Sequence, residues 1–189
     1  MKMKRSIFVL LILITTPLLA TPVQWKIEDG GNGHYYEVGP NDVHYSWYEA
    51  ENIAASLQYL EYTGHLVTIT SPEEQNFVVS LFQESDPDRA WMGGYQPAGS
   101  PEPDGGWQWI TGEEWEYSDP LRVNNNGDEN CLEMVNARTW PPNPNGLWND
   151  LNADSILKGT YIVEYENTIP EPATLLLLGL GGLFLLRRK

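Results

Sequence analysis

The sequence predicts an α+β fold, in which two helices pack on antiparallel sheets and a long loop region lies in the second half of the chain. Two observations support this class. The first half contains two segments with helix start signals and helical spacing of apolar residues, separated by a short apolar strand. The second half is rich in Trp, Gly and Pro and alternates large aromatic residues, which is typical of strands joined by loops.

The first helix is predicted to follow one or two short N-terminal strands. Tyr35, Val38 and residues 43–45 lie in segments punctuated by glycine, which favours strands. Ser46 then begins a capping box that Glu49 completes three residues later. The apolar residues that follow share one helical face: Trp47, Ala50, Ile53, Ala54 and Leu57.

A buried strand and the second helix come next. Residues 65–69 are mostly apolar and predict the strand. Ser71 is predicted to cap the helix, with Pro72 at its first position and Glu74 closing a second capping box. The helix is predicted to end at residues 86–88, and its apolar stripe consists of Phe77, Val78, Leu81 and Phe82.

The second half is predicted to form strands at residues 90–95, 107–112 and 159–165. A loop rich in proline and glycine separates the first two of these strands, and residues 114–117 add further aromatic side chains. Most of the tryptophans are expected in the core, because such large side chains bury much apolar area.

The two ends of the chain are predicted to be targeting segments, which leaves residues 21–168 as a single domain. Residues 1–20 join a basic start, an apolar run and small residues, as in a secretory signal peptide. An uncleaved membrane anchor is the alternative, although the apolar run is short for a membrane span.

The C-terminal segment, residues 169–189, has three parts. Pro170, Glu171 and Pro172 precede an apolar run at residues 173–186, and three basic residues end the chain. As a helix the apolar run would measure about 21 Å, against about 30 Å for a hydrocarbon core. It can still lodge in a membrane, with the basic residues held on the cytoplasmic side.

This order of parts resembles the PEP-CTERM sorting tail of Gram-negative bacteria that make extracellular polysaccharide. The resemblance implies export, transient anchoring in the inner membrane through residues 173–186, and processing by an exosortase near the Pro-Glu-Pro motif. It also implies delivery to the cell surface or the extracellular space. Residues 101–103 repeat Pro-Glu-Pro without an apolar run and are expected to form only a loop.

The net charge of the domain and its lack of catalytic motifs limit the functions that the sequence can support. Residues 21–169 hold five basic and twenty-five acidic side chains, a formal charge of about −20. Nucleic acid is excluded as a partner because phosphate binding needs a basic surface. Cations or neutral sugars fit better, although a solubilising surface also explains most of the charge. The sequence carries no zinc, nucleophile-elbow or phosphate-loop motif, so no enzyme is predicted.

Two polar segments flank an apolar strand in the second half of the chain. Residues 124–131 and 145–150 supply many side-chain oxygens around Trp148. This composition is typical of a hard-cation site beside a sugar-stacking surface.

The central domain resembles the C-type lectin-like domain. The anchors occur in the family's order over about 115 residues: Trp47 and Ala50, residues 64–67, residues 73–77, residues 91–93, Trp107 and Trp109, residues 129–131, residues 147–150, and residues 161–163. The resemblance implies a binding module rather than an enzyme.

The resemblance also identifies lost disulfides. The family's cysteine positions match Ala54 with Val163, and Cys131 with Ala153. One bridge is therefore expected to be replaced by a packing contact. Cys131, the only cysteine of the chain, is expected to be a small buried hydrophobe.

In sugar-binding members one calcium ion is held by a loop motif, a Glu before the third cysteine, and the Asn-Asp of Trp-Asn-Asp. The same side chains bind sugar hydroxyls. Carried over by position, the resemblance implies that Asn124, Glu129, Asn149 and Asp150 form both the metal and the carbohydrate site.

Two motif positions are lost, because Arg122 and Val123 replace a carboxylate or amide and a proline. A guanidinium beside the ion and one carboxylate fewer should weaken calcium binding, since calcium needs six to eight oxygens. A slip in register along residues 124–126 would offer similar amides. A loop carboxylate could also compensate, and the candidates are Glu102, Asp104, Asp119 and Asp128.

Two hypotheses follow. The first is an exported, surface-associated protein that binds carbohydrate, with calcium as its ion and the exopolysaccharide of the same cell as a possible ligand. The second is a metal-free adhesion or protein-interaction module with a degenerate calcium loop.

Overall fold

A computed structural model describes residues 21–41, 43–118, 121–122, 128–139 and 146–166. The predicted signal peptide and sorting tail lie outside these ranges. The elements, in chain order, are β1 (Val23–Gln24), a 3-10 turn (Ile27–Asp29), β2 (Tyr35–Val38), β3 (Val43–Tyr45), α1 (Trp47–Ser56), β4 (Gln58–Tyr59), β5 (Tyr62–Leu66), α2 (Pro72–Ser85), β6 (Arg89–Tyr95), β7 (Gln108–Trp109), β8 (Leu121–Arg122), β9 (Cys131–Val135), β10 (Leu147–Leu151) and β11 (Leu157–Glu166).

Helix α1 begins as predicted. The Ser46 hydroxyl accepts from the backbone N of Glu49 at 3.3 Å, and Glu49 Oε2 accepts from the backbone N of Ser46 at 2.9 Å. The capping box therefore satisfies two backbone donors that the helix itself cannot satisfy. Trp47, Ala50 and Ala54 are buried on the inner face of the helix.

Helix α2 is capped by Ser71, but its predicted capping box is wrong in one half. The Ser71 hydroxyl accepts from the backbone N of Glu74 at 3.1 Å. The Glu74 carboxylate, however, accepts from the backbone N of Thr70 at 2.8 Å and from the hydroxyl of Tyr36 at 2.6 Å. The carboxylate is buried between these donors, so a tertiary contact replaces the local one.

Strand β11 connects the sheet system. It pairs antiparallel with β2, β3 and β5 along its length, and parallel with β6. Strand β6 pairs antiparallel with β9, and β9 pairs antiparallel with β10. The fold is α+β as predicted, and most pairings are antiparallel, but β6 with β11 and β8 with β10 are parallel.

Two predicted strands have different limits. Strand β5 ends at Leu66, while Val67 and Ile69 continue as a buried segment outside the ladder. The strand predicted at residues 107–112 is shorter, because β7 covers only Gln108–Trp109; beyond it, Trp115 and Tyr117 pack against the core.

The four positions matched to the family's cysteines lie in one buried cluster: Ala54, Val163, Cys131 and Ala153. The same cluster contains Trp47 and Trp91. Cys131 is buried and reduced, and burial raises the pKa of its thiol far above the ordinary value. Apolar packing therefore occupies the places where the family has disulfides.

Neither α1 nor α2 combines the length and the apolar composition that a membrane-crossing helix needs, and no other helix in the described ranges does so. The run at residues 173–186, which the sequence predicts to enter a membrane, lies outside those ranges.

Candidate functional site

Strand β10 carries two of the predicted ligands, Asn149 and Asp150, and the core fixes its position. Trp148 is fully buried, and its Nε1 donates to Gln75 Oε1 of α2 at 3.0 Å. The Trp148 ring also packs edge-on against Trp109, with ring centroids 5.6 Å apart. The expectation of a sugar-stacking surface at Trp148 is therefore wrong, because the ring is enclosed by the core.

The neighbouring strands place Glu133 and the backbone of Arg122 beside Asn149. In the β-ladders Asn149 lies opposite Glu133 of β9 and opposite Arg122 of β8. Glu129 is half-buried and lies two residues before β9. Asn124, the fourth predicted ligand, lies outside the described residues, as does Val123.

The side-chain amide of Asn149 is held through its nitrogen. Nδ2 donates to Glu133 Oε1 at 2.8 Å and to the backbone carbonyl of Asp150 at 2.6 Å. The side-chain oxygen, Oδ1, is buried and has no hydrogen-bond partner within the part of the chain that the structure describes. A buried polar atom of this kind usually has a partner, which can be water, a ligand or an ion.

Glu133 was not identified from the sequence. Its side chain is fully buried, and Oε1 accepts from Arg89 Nη1 at 2.9 Å as well as from Asn149. Burial raises the pKa of Glu133 to about 7, against the lowering effect of the Arg89 charge and of the Asn149 bond, and the Glu129 charge raises it further. Only the strand register places this carboxylate beside Asn149.

The donor set suits a hard cation in its chemistry. Asn149 contributes an amide oxygen that has no partner among the described residues, and Asp150, which is 2% exposed, contributes a buried carboxylate. Calcium needs six to eight such oxygens. Among the described residues no three His, Cys, Asp or Glu side chains are placed to hold a metal ion together. A complete shell therefore requires further oxygens besides those of Asn149 and Asp150.

The structure describes three of the four loop carboxylates proposed as compensation. Glu102, Asp104 and Asp128 are all exposed to solvent. Asp119 lies outside the described residues. Of the described acids outside the four predicted ligands, Glu133 is the one that contacts Asn149.

Comparison with known proteins identifies the family. The Lectin C-type domain matches residues 43–159, more than half of the chain, so the chain belongs to the C-type lectin family. The PEP-CTERM protein-sorting motif matches residues 168–189, which confirms the second resemblance. Members of this family are generally binding proteins without catalytic activity.

Human asialoglycoprotein receptor 2 is 30% identical over 139 residues, which cover 68% of this chain and 36% of the receptor. The chain thus spans about a third of that relative. Among solved structures, the C-type lectin CEL-I from Cucumaria echinata superposes with a TM-score of 0.54 at 21% identity, covering 70% of this chain and 90% of CEL-I. A Ca²⁺-dependent type II antifreeze protein, in its Ca²⁺-free form, superposes with a TM-score of 0.53 at 19% identity. This match covers 76% of this chain and 98% of the antifreeze protein. These two likenesses concern the fold.

Proposed function

We propose that this protein is an exported, surface-associated lectin that binds carbohydrate with the assistance of calcium at the end of strand β10. The observation that carries the proposal is the buried Asn149 Oδ1, which lacks a partner among the described residues and lies next to the buried Asp150. A cation supplies the missing partner. The family membership supports the assignment of a carbohydrate ligand.

The residues of this chain have separate tasks in the proposed site. Asn149 and Asp150 would offer oxygens from strand β10, and Asn124 and Glu129 would be the further ligands, from the segment that connects β8 to β9. A bound calcium ion would supply coordination of two neighbouring sugar hydroxyls. The protein side chains would orient the sugar by accepting hydrogen bonds from those hydroxyls and donating to them.

Extracellular polysaccharide is the carbohydrate class that we propose. The sorting motif supports export by a Gram-negative cell, with an exosortase and the inner membrane as transient partners through residues 173–186. A domain charge of about −20 disfavours polyanions unless a cation bridges the two, and it favours neutral polysaccharide.

Calorimetric titration of the purified protein with calcium tests the site. Glu129→Ala and Asp150→Ala should each lower the affinity at least tenfold, because each removes one charged ligand. Asp29→Ala is the matched control, since Asp29 is exposed and lies in the 3-10 turn between β1 and β2. Absence of calcium binding by the unaltered protein would refute the calcium-assisted site.

A glycan array, run with and without EDTA, tests the ligand. The proposal expects binding of carbohydrate that EDTA abolishes and that Asp150→Ala reduces in parallel with calcium affinity. Binding that is unchanged by EDTA would separate the carbohydrate function from the ion.

A metal-free adhesion or protein-interaction module is the second candidate. The specific observation in its favour is the pairing of Arg122 with Asn149, which brings the backbone of a cationic residue alongside the proposed ion site. This candidate predicts a protein or glycan partner whose binding is insensitive to EDTA and to Glu129→Ala.

A further inference from the structure

Glu133 is an unusual residue for the middle strand of a sheet. It is fully buried on β9, opposite Trp91 of β6 on one side and Asn149 of β10 on the other. A carboxylate in this position costs free energy unless it is paired and hydrogen-bonded. The Arg89 guanidinium, 2.9 Å away, supplies the opposite charge. Only Glu133 is fully buried, since the Arg89 side chain is 32% exposed. Packing alone does not explain why Glu133 is present, because replacing a buried charge and its partner by apolar side chains is often neutral or stabilising.

The chemistry of the Asn149 side-chain amide explains why Glu133 lies beside it. The amide oxygen can bind a cation, whereas the nitrogen can only donate hydrogen bonds. Glu133 Oε1 and the carbonyl of Asp150 are both acceptors, and both lie within 2.8 Å of Asn149 Nδ2. Rotating the amide by half a turn would place Oδ1 against two acceptor oxygens. This contact is repulsive, so the acceptors force the nitrogen toward β9 and leave Oδ1 without a partner in the described structure.

We propose that Glu133 and Arg89 are positioning residues of the ion site: Glu133 holds the Asn149 amide so that Oδ1 is available to a cation, and Arg89 holds Glu133. This inference rests on the proposed function for the identity of the cation. The orientation of the amide itself is a property of the protein without any ion. The two parts can therefore be tested separately.

The variant set is designed to keep the protein folded. Arg89→Met with Glu133→Leu replaces the ion pair by apolar side chains of similar length, a kind of change that leaves folding intact in other proteins. Glu133→Gln removes the charge but retains an acceptor oxygen for Asn149 and Arg89. Asp88→Asn is the matched control, because Asp88 is a partly exposed acid next to Arg89 in sequence and contacts Arg138 instead.

Calcium titration is the first measurement. Loss of the residues that orient a metal ligand typically lowers affinity about 10- to 100-fold. We expect a loss of that size in the double variant and a much smaller loss in Glu133→Gln, with the thermal midpoints of both variants near that of the parent. A loss in Glu133→Gln as large as in the double variant would overturn the positioning role, since it would mean that the charge of Glu133 acts on the ion directly. An affinity loss that merely follows the loss of thermal stability would also overturn it.

The second measurement needs no ion. In nitrogen-15 spectra of the calcium-free protein, the two Asn149 side-chain amide protons, assigned by their loss in Asn149→Ala, should differ in shift and exchange slowly in the parent and in Glu133→Gln. In the double variant they should move toward the position of a solvated amide and exchange faster. Unchanged amide signals in the double variant would overturn the proposal. If the parent binds no calcium, the proposed function fails, and the amide spectrum alone decides whether Glu133 orients Asn149.

Discussion

Replacing Tyr36 by phenylalanine should destabilise the domain, because the Tyr36 hydroxyl is hydrogen-bonded to two buried carboxylates. The Tyr36 hydroxyl lies 2.6 Å from Glu74 Oε1 of α2 and 3.0 Å from Glu164 Oε1 of β11. Both glutamates are only 2% exposed. After the substitution Glu74 Oε1 keeps Asn32 Nδ2 at 3.1 Å, and Glu164 Oε1 keeps His34 Nδ1 at 2.7 Å.

The expected size follows from these contacts. A hydrogen bond to a charged group contributes about 1.5–3 kcal/mol, and the phenylalanine ring fills the same volume, so no cavity term is added. We therefore expect a loss of about 2–3 kcal/mol in the free energy of unfolding at neutral pH.

The loss should depend on pH. Burial, and then the charge of Glu164, raise the pKa of Glu74 above its ordinary value. A carboxyl whose pKa is raised in the folded state binds more protons there than in the unfolded chain. It therefore destabilises the folded state increasingly as pH rises above the pKa of the unfolded chain. Removal of the hydroxyl donor raises that pKa further. The difference between Tyr36→Phe and the parent should thus be larger at pH 7.5 than at pH 5.

Urea denaturation followed by tryptophan fluorescence, at both pH values, measures the effect. Tyr48→Phe is the control, because Tyr48 is 50% exposed and removal of its hydroxyl should change stability by less than about 0.5 kcal/mol. A Tyr36→Phe variant as stable as this control, or a difference that grows toward acid pH, would refute the reasoning.

Two further outcomes are expected. Burial lowers the pKa of His65, but its contacts with Glu166 and the charge of Glu164 outweigh burial and raise the pKa to about 9. Protonated His65 therefore stabilises the folded state. This stabilisation is complete below the unfolded pKa of 6.5 and is lost as pH rises through about 9. In denaturation experiments at pH 6, 7.5 and 9.5, the free energy of unfolding should fall by up to about 3 kcal/mol as pH rises. His65→Gln should reduce this dependence on pH, and an equal dependence in both proteins would contradict the assignment. The Cys131 thiol, buried and with a raised pKa, should react with a disulfide reagent at pH 8 only at the rate of unfolding, so that fast labelling of the native protein would show that the thiol is accessible.

Local sequence signals predicted the local structure of this protein well. The box of Ser46 and Glu49 and the cap of Ser71 join groups three residues apart, so the chain forms them wherever a helix begins. The order of the tryptophan and glycine anchors predicted the C-type lectin fold, and the C-terminal motif predicted the sorting segment.

The tertiary structure decided the contacts that span long separations. Glu74 follows the same sequence rule as Glu49, yet Tyr36, thirty-eight residues away, and Thr70 take its carboxylate instead of Ser71. The polar segments around Trp148 suggested a sugar-stacking ring, yet Trp109 and α2 pack around this ring and enclose it.

The site shows the same division. The sequence alone determined that Asn149 and Asp150 are candidate ligands, because the motif is continuous in the chain. The strand register decided that Glu133, sixteen residues earlier, lies 2.8 Å from Asn149, and that Arg89, forty-four residues before Glu133, pairs with it. A shift of register by one residue would turn these side chains to the opposite face of the sheet. Only the folded sheet therefore brings the carboxylate and the guanidinium to the amide that they hold.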